Sequence, residues 1–199
     1  LFDVDGKILE TPGEPADSTL KDRLCHGAYP LKEYKGVVFA YMGPPDKMPE
    51  FPIWDTISDA LDTPEYHLEP GSRRISPCNW LQIKENSMDP AHLQYLHTIV
   101  PGVGFTSDFA SNGELDFIES PIGMMYISSR RVGEKAWIRI SDFMPPNVHQ
   151  FPPQEDVEDK KPISRPRTTI WAVPVDDTHT QVLTLQHRRP EEAPLEFGF

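Results

Sequence analysis

Cysteine is scarce in this 199-residue sequence, which contains only Cys25 and Cys78. Two cysteines cannot build the disulfide framework of small secreted domains, so we expect a reducing, cytoplasmic compartment. Long apolar runs are also missing, since no stretch approaches the ~20 residues that cross a bilayer. These two absences argue against a disulfide scaffold and against a membrane protein.

Basic residues are also few compared with acidic residues. Lys and Arg together number 19 against 31 Asp and Glu, which gives a net charge of −12. Because phosphate contacts need a basic surface, nucleic acid is not an expected partner. Aromatic residues, in contrast, are plentiful, with 10 Phe, 4 Trp and 6 Tyr. That content supports a packed core rather than a disordered chain.

Alternation of apolar and polar residues predicts a mainly antiparallel β protein. The 22 prolines fall mostly in clusters that mark loops between the strands. We interpret Pro70-Gly71 as the turn of a strand pair. We place His149 in a surface loop, and the alternative is a position that lines the pocket. The predicted strands and hairpins cover residues 1–10, 29–42, 66–69, 73–76, 115–132, 135–143, 168–175 and 181–186.

The segment from Cys78 to His97 breaks this β pattern and predicts two helical stretches interrupted near Ser87–Asp89. Pro90 directly follows Asp89, which is the arrangement of a helix N-cap and a proline at the first helical position. The second stretch carries both His92 and His97.

His92 and His97 are candidate metal ligands, because imidazole is the commonest side-chain ligand for iron and zinc. On a regular helix their five-residue spacing would set the two side chains about 140° apart. A shared ion therefore predicts a distortion between them, either a π-bulge or a helix that ends near Tyr95. The alternative is two ordinary histidines on opposite faces of a helix.

The stretch Asn79-Trp80-Leu81-Gln82 through Glu85-Asn86-x-x-Asp89-Pro90-x-His92-x4-His97 resembles the iron-site motif of Rieske non-haem iron oxygenases, in their phthalate dioxygenase-like branch. Further similarity lies outside the motif, and together these stretches cover nearly the whole chain. They are residues 2–15, 29–33, 36–43 and 171–180.

This resemblance implies a function for the motif. His92 and His97 would be the two histidines of a 2-His-1-carboxylate Fe(II) site that activates O2. Asp89 would hydrogen-bond a ligand histidine and link the iron to a Rieske cluster in a neighbouring subunit, and Asn86 would lie near the iron. The complete enzyme would hydroxylate or demethylate an aromatic substrate, form a homotrimer, and receive electrons from NAD(P)H through a ferredoxin or flavin reductase.

Two parts of that machinery are missing from the sequence. The third iron ligand would be an aspartate on a late helix, and we find no such helix; Asp176 and Asp177 are interpreted as a turn. A [2Fe–2S] Rieske centre takes two Cys and two His, whereas Cys25-His26 is a single pair. We interpret Cys25 and Cys78 as buried or half-buried thiols.

The resemblance implies an α+β fold class: an antiparallel helix-grip sheet of the START or Bet v 1 kind, here without its C-terminal helix. We interpret the chain as a fragment in which residues 1–48 are the end of a Rieske domain and residues 49–199 belong to the catalytic domain. Two alternatives stay open, a non-catalytic module that binds a hydrophobic ligand and a mononuclear zinc hydrolase.

Overall fold

The structure is a computed structural model that describes residues 1–58, 67–98, 107–111, 113–153, 163–164 and 166–188. The chain divides into two compact units, Leu1–Pro52 and Ile53–Phe199. Within the described ranges, every helix is too short or too polar to traverse a lipid bilayer. One residue of the predicted strands, Tyr66, lies outside the described residues.

The first unit contains the predicted hairpin at residues 29–42. Lys35 and Gly36 form its turn with φ of 52° and 78°, and two successive positive φ values suit the twist of a tight hairpin. The N-terminal ten residues are less regular than predicted, with a single bridge between Phe2 and Ile8 in place of a hairpin. The elements of this unit are α1 (Leu20–Arg23), β1 (Leu31–Tyr34), β2 (Val37–Ala40) and a 3-10 turn (Pro45–Lys47).

The second unit is built on an eight-stranded sheet. Seven strands form an antiparallel path in the order β3-β10-β9-β7-β6-β5-β4, and β8 pairs with β6 in parallel. This confirms the predicted antiparallel, β-rich class. The strands are β3 (His67–Ser76), β4 (Glu114–Ser120), β5 (Gly123–Val132), β6 (Lys135–Met144), β7 (Val148–Phe151), β8 (Ile163–Ser164), β9 (Thr168–Pro174) and β10 (Thr180–Arg188). The helices are α2 (Trp80–Ser87), a π-helix (Leu93–His97) and 3-10 turns at Asp55–Ile57 and Ser107–Ala110.

The predicted turn at Pro70-Gly71 is wrong, because both residues lie inside the continuous strand β3. The register with β10 shifts between Leu183 and Leu185, opposite this dipeptide. A Cβ on Gly71 would lie 2.3 Å from Oγ1 of Thr184. The glycine thus allows close approach at a β-bulge rather than a reversal of the chain.

Residues directly opposite one another in neighbouring strands share a face of the sheet. The strand pairing places Tyr126, Arg139, His149, Ile170 and Val182 on one face, which we call the inner face. On the opposite face, Trp54 packs on Trp171 with ring centres 6.3 Å apart, and Gln150 donates a hydrogen bond to Oγ1 of Thr56.

Candidate metal centre

Helix α2 is preceded by Asn79, whose side chain makes two hydrogen bonds. The side-chain oxygen of Asn79 accepts a hydrogen bond from the backbone N–H of Leu81 at 2.9 Å, as an N-cap does. Its amide nitrogen donates to the carbonyl of Asp177 at 3.1 Å, in the β9–β10 turn. Thr180 Oγ1 also donates to the carbonyl of Cys78 at 2.8 Å. The sheet therefore fixes the start of the helical segment that leads to the histidines.

The second helical stretch begins as predicted. Asp89 accepts a hydrogen bond from the backbone N–H of Ala91 at 2.9 Å, and Pro90 occupies the first position, where no N–H is needed. The break between the two stretches is thus capped by Asp89.

The distortion predicted between His92 and His97 is present as a π-helix over Leu93–His97. The wider turn brings the two imidazoles together, with ring centres 5.2 Å apart and planes inclined at 60°. Rings on opposite faces of a regular helix would lie much farther apart. The structure therefore confirms the predicted geometry, whereas the metal itself stays a prediction.

The ring separation has the value expected for two ligands of one ion. Metal–nitrogen bonds of ~2.1 Å that diverge by ~90–110° put two imidazole centres about 5 Å apart. The observed 5.2 Å agrees with that distance. The donor set is also suitable, since neutral imidazoles bind ferrous iron.

Asp89 faces the first of these histidines. One of its carboxylate oxygens lies 3.5 Å from Nδ1 of His92, which leaves Nε2 for another partner. The negative charge of Asp89 also acts on Tyr126 of the sheet. Burial raises the pKa of Tyr126, and the charge of Asp89 adds to this rise.

His97 and its helix pack against the sheet. The His97 side chain is buried, and burial, followed by the proximity of His92, lowers its pKa and favours the neutral form. Leu93 of the π-helix packs on the buried Phe109–Trp137 pair. This packing anchors the segment that carries both imidazoles.

The structure does not join the remaining sequence candidates to this pair. Asn86 is exposed at the end of α2, where its backbone carbonyl accepts from the N–H of Asp89. Asp176 lies in the predicted turn, where the backbone N–H of Thr178 is the largest cause that lowers the pKa of its carboxyl to about 2. Among the described residues, no three His, Cys, Asp or Glu side chains form a metal-binding group.

The sequence pattern did not predict the burial of two basic residues, His149 and Lys84. His149 is not in a surface loop but lies on β7 and is fully buried. Lys84 is the buried residue of α2. A four-residue strand buried on both faces shows no alternation, so its pattern could not have placed His149.

Cys25 also differs from expectation, because it is exposed, while Cys78 is half-buried.

Comparison with known proteins adds relatives along almost the whole chain, although no family model matches. The chain is 38% identical to the tert-butanol monooxygenase / tert-amyl alcohol desaturase oxygenase subunit of Aquincola tertiaricarbonis, over 97% of this chain and 43% of that protein. It is 31% identical to the phthalate 4,5-dioxygenase oxygenase subunit of Pseudomonas putida, over 97% and 44%. The chain therefore spans less than half the length of these curated relatives.

A solved structure supports the fold. Dicamba monooxygenase bound to 3,6-dichlorosalicylic acid matches 96% of this chain and 58% of its own chain, with a TM-score of 0.66 and 14% identity. At that identity the likeness concerns the fold alone, and it agrees with the antiparallel sheet.

Proposed function

Since this chain belongs to the Rieske non-haem iron oxygenases, we propose that His92 and His97 are two ligands of a mononuclear ferrous ion. The observation that carries the proposal is the π-helix that brings the imidazole centres to 5.2 Å. A ferrous ion held there supplies O2 activation in the complete enzyme. Its third protein ligand lies outside the described residues or outside this chain.

The other residues of the site would orient the ligands of the iron and would not themselves react. Asp89, 3.5 Å from Nδ1 of His92, orients that imidazole and directs Nε2 toward the ion. We propose that it also forms part of the route for electrons from the cluster of a neighbouring subunit. Asn86 is proposed near the iron only in the complete assembly, because its side chain is exposed in this chain.

The inner face would bind the substrate, an aromatic or related compound that is hydroxylated or demethylated. Buried apolar residues such as Ile170 and Val182 line this face, and they would exclude water from the reaction. The complete enzyme would be a homotrimer with a [2Fe–2S] centre, served by NAD(P)H through a ferredoxin or flavin reductase.

The two alternatives fit less well. A ligand-binding module without metal is favoured by histidines that point apart, yet the centres of these two rings lie only 5.2 Å apart. A zinc hydrolase would use the same pair, but the relatives of this chain are named as oxygenases. The identity of the bound metal, iron or zinc, distinguishes the oxygenase from the hydrolase.

The test is iron loading of the full-length protein under anaerobic conditions, followed by metal analysis and electron paramagnetic resonance of the nitric oxide adduct. We expect one mononuclear iron per chain and its loss in His92→Ala and in His97→Ala. His179→Ala is the matched control, since His179 is an exposed histidine in the β9–β10 turn. Equal iron content in all three variants would rule out this site.

A further inference from the structure

A pocket of about 420 Å³ lies where the end of β6 meets the turn between β4 and β5. The segment before β3 and a side chain of β7 complete its walls. Its volume is that of a small-molecule site, for which about 300–1,000 Å³ is usual. Asp89, His92 and His97 are not among the described residues that line it. The pocket therefore needs an explanation separate from the iron site.

The wall formed by Trp54 and Thr56 is fixed to the sheet. The ring centre of Trp54 lies 6.3 Å from that of Trp171 on β9. The side-chain amide of Gln150 on β7 donates a hydrogen bond to Oγ1 of Thr56, and the backbone carbonyl of Thr56 lies 2.8 Å from Nε2 of His187 on β10. These contacts hold the Trp54 ring in place beside the pocket.

Asp142 is a half-buried acid in this pocket, and its carboxylate lacks a partner. Its cross-strand neighbour is Gln150, but the amide nitrogen of Gln150 already donates to the hydroxyl groups of Thr56 and Thr169. Within the described parts of the chain, no hydrogen bond or ion pair engages the Asp142 carboxylate. Burial raises the pKa of Asp142, as expected for a carboxylate without a cation beside it. A cation bound there would offset this cost of burial.

The other described residues of the lining suit a cation with an apolar body. They include no Lys, Arg or His that would compete for the Asp142 carboxylate. Ile122 and Met124 offer apolar surface, and the face of the Trp54 indole attracts positive charge. Asp55, an exposed acid of the same lining, adds negative charge. The two carboxylates would repel an anion.

We propose that this pocket binds a small arylalkylammonium ion. The ammonium group would pair with the carboxylate of Asp142, and the apolar body would lie against Trp54, Ile122 and Met124. The net charge of −12 would also attract such a cation from solution. This inference goes beyond the proposed function and does not depend on it, because the residues that carry it lie outside the histidine pair.

The test is calorimetric titration of the full-length protein at pH 7 with 2-phenylethylamine, which is protonated there, and with 2-phenylethanol, its neutral analogue of similar shape. We expect the amine to bind about tenfold more tightly or better, since a charged hydrogen bond to Asp142 is available only to the ammonium group. Asp142→Asn should remove this preference. Glu134→Gln is the matched control, because Glu134 is an exposed acid in the β5–β6 turn.

A second variant keeps the test decisive if Asp142→Asn does not fold, with folding checked by circular dichroism. Ile122 is 63% exposed, so Ile122→Lys should fold, and its new ammonium group should occupy the Asp142 carboxylate and abolish binding of the amine.

Several outcomes would overturn the inference. They are equal affinity for the two ligands, no saturable binding of the amine, or an intact preference in Asp142→Asn or in Ile122→Lys. His92→Ala separates the two proposals: loss of iron with unchanged amine binding supports both sites. Loss of amine binding in that variant would place the amine at the histidine pair and contradict this inference.

Discussion

Asp89 combines two roles at the residue scale, as a helix cap and as the neighbour of a candidate ligand. Its carboxylate accepts from the N–H of Ala91 at 2.9 Å and lies 3.5 Å from Nδ1 of His92. Asn caps a helix about as well as Asp, whereas Ala does not. The two roles can therefore be separated by substitution.

We predict that Asp89→Ala lowers the free energy of unfolding by about 1 kcal/mol, because the cap is lost. Asp89→Asn should leave stability nearly unchanged. Both variants should weaken iron binding by about tenfold or more, since a carboxylate beside a ligand imidazole is lost. Urea unfolding and iron titration measure the two effects, and normal iron affinity in Asp89→Asn would assign Asp89 to capping alone.

Lys84 gives a prediction about pH. Its pKa falls from 10.5 in the unfolded chain to about 7 in the folded protein, so the unfolded state binds more protons between these values. Stability should then rise with pH from about 7 toward 10, by a few kcal/mol at most.

The measurement is urea unfolding at pH 7 and pH 9 for the wild type and for Lys84→Met. The methionine variant lacks the titrating group, so its gain over this interval should be smaller. Identical pH dependence in both proteins would show that Lys84 is not held in its neutral form by burial.

At the scale of elements, the β9–β10 turn positions the helical segment of the site. The fully buried Thr180 donates to the carbonyl of Cys78, and Asn79 caps α2 while it donates to the carbonyl of Asp177. We predict that Thr180→Val lowers the free energy of unfolding by about 1–2 kcal/mol, because the carbonyl of Cys78 loses its donor.

Thr180→Ser is the control, since it keeps the hydroxyl. If the turn positions the ligands, iron affinity should fall in Thr180→Val and recover in Thr180→Ser. Unchanged iron affinity in both variants would limit the turn to a role in folding.

Element prediction from sequence succeeded where the local pattern was strong. The hairpin at Lys35-Gly36, the capped break at Asp89 and the strands β4, β5, β6, β9 and β10 follow from turn chemistry and alternation. The π-helix followed from a geometric requirement, namely that two imidazoles five residues apart reach one point. Gly71 was misread because a glycine serves a turn and a bulge equally well, and only the register with β10 distinguishes them.

At the scale of the whole molecule, the chain spans under half of its curated relatives. The burial of Lys84 and of His149 could not be found from the sequence, because it arises only through tertiary packing. The sequence motif located the histidine pair, but it carried no information about what lies beneath α2.

The interpretation of residues 1–48 as the end of a Rieske domain also makes a prediction. Since a Rieske centre takes two Cys and two His, the 199-residue chain should form no such cluster on reconstitution with iron and sulfide. The full-length protein should show its absorption and paramagnetic signals. A cluster on the shorter chain would contradict this interpretation.

The most direct test of the central claim is anomalous diffraction at the iron absorption edge from crystals of the iron-loaded full-length protein. We predict one anomalous peak that lies ~2.1 Å from a ring nitrogen of His92 and equally close to one of His97. A peak bound to only one of these imidazoles, or located elsewhere in the fold, would contradict the claim.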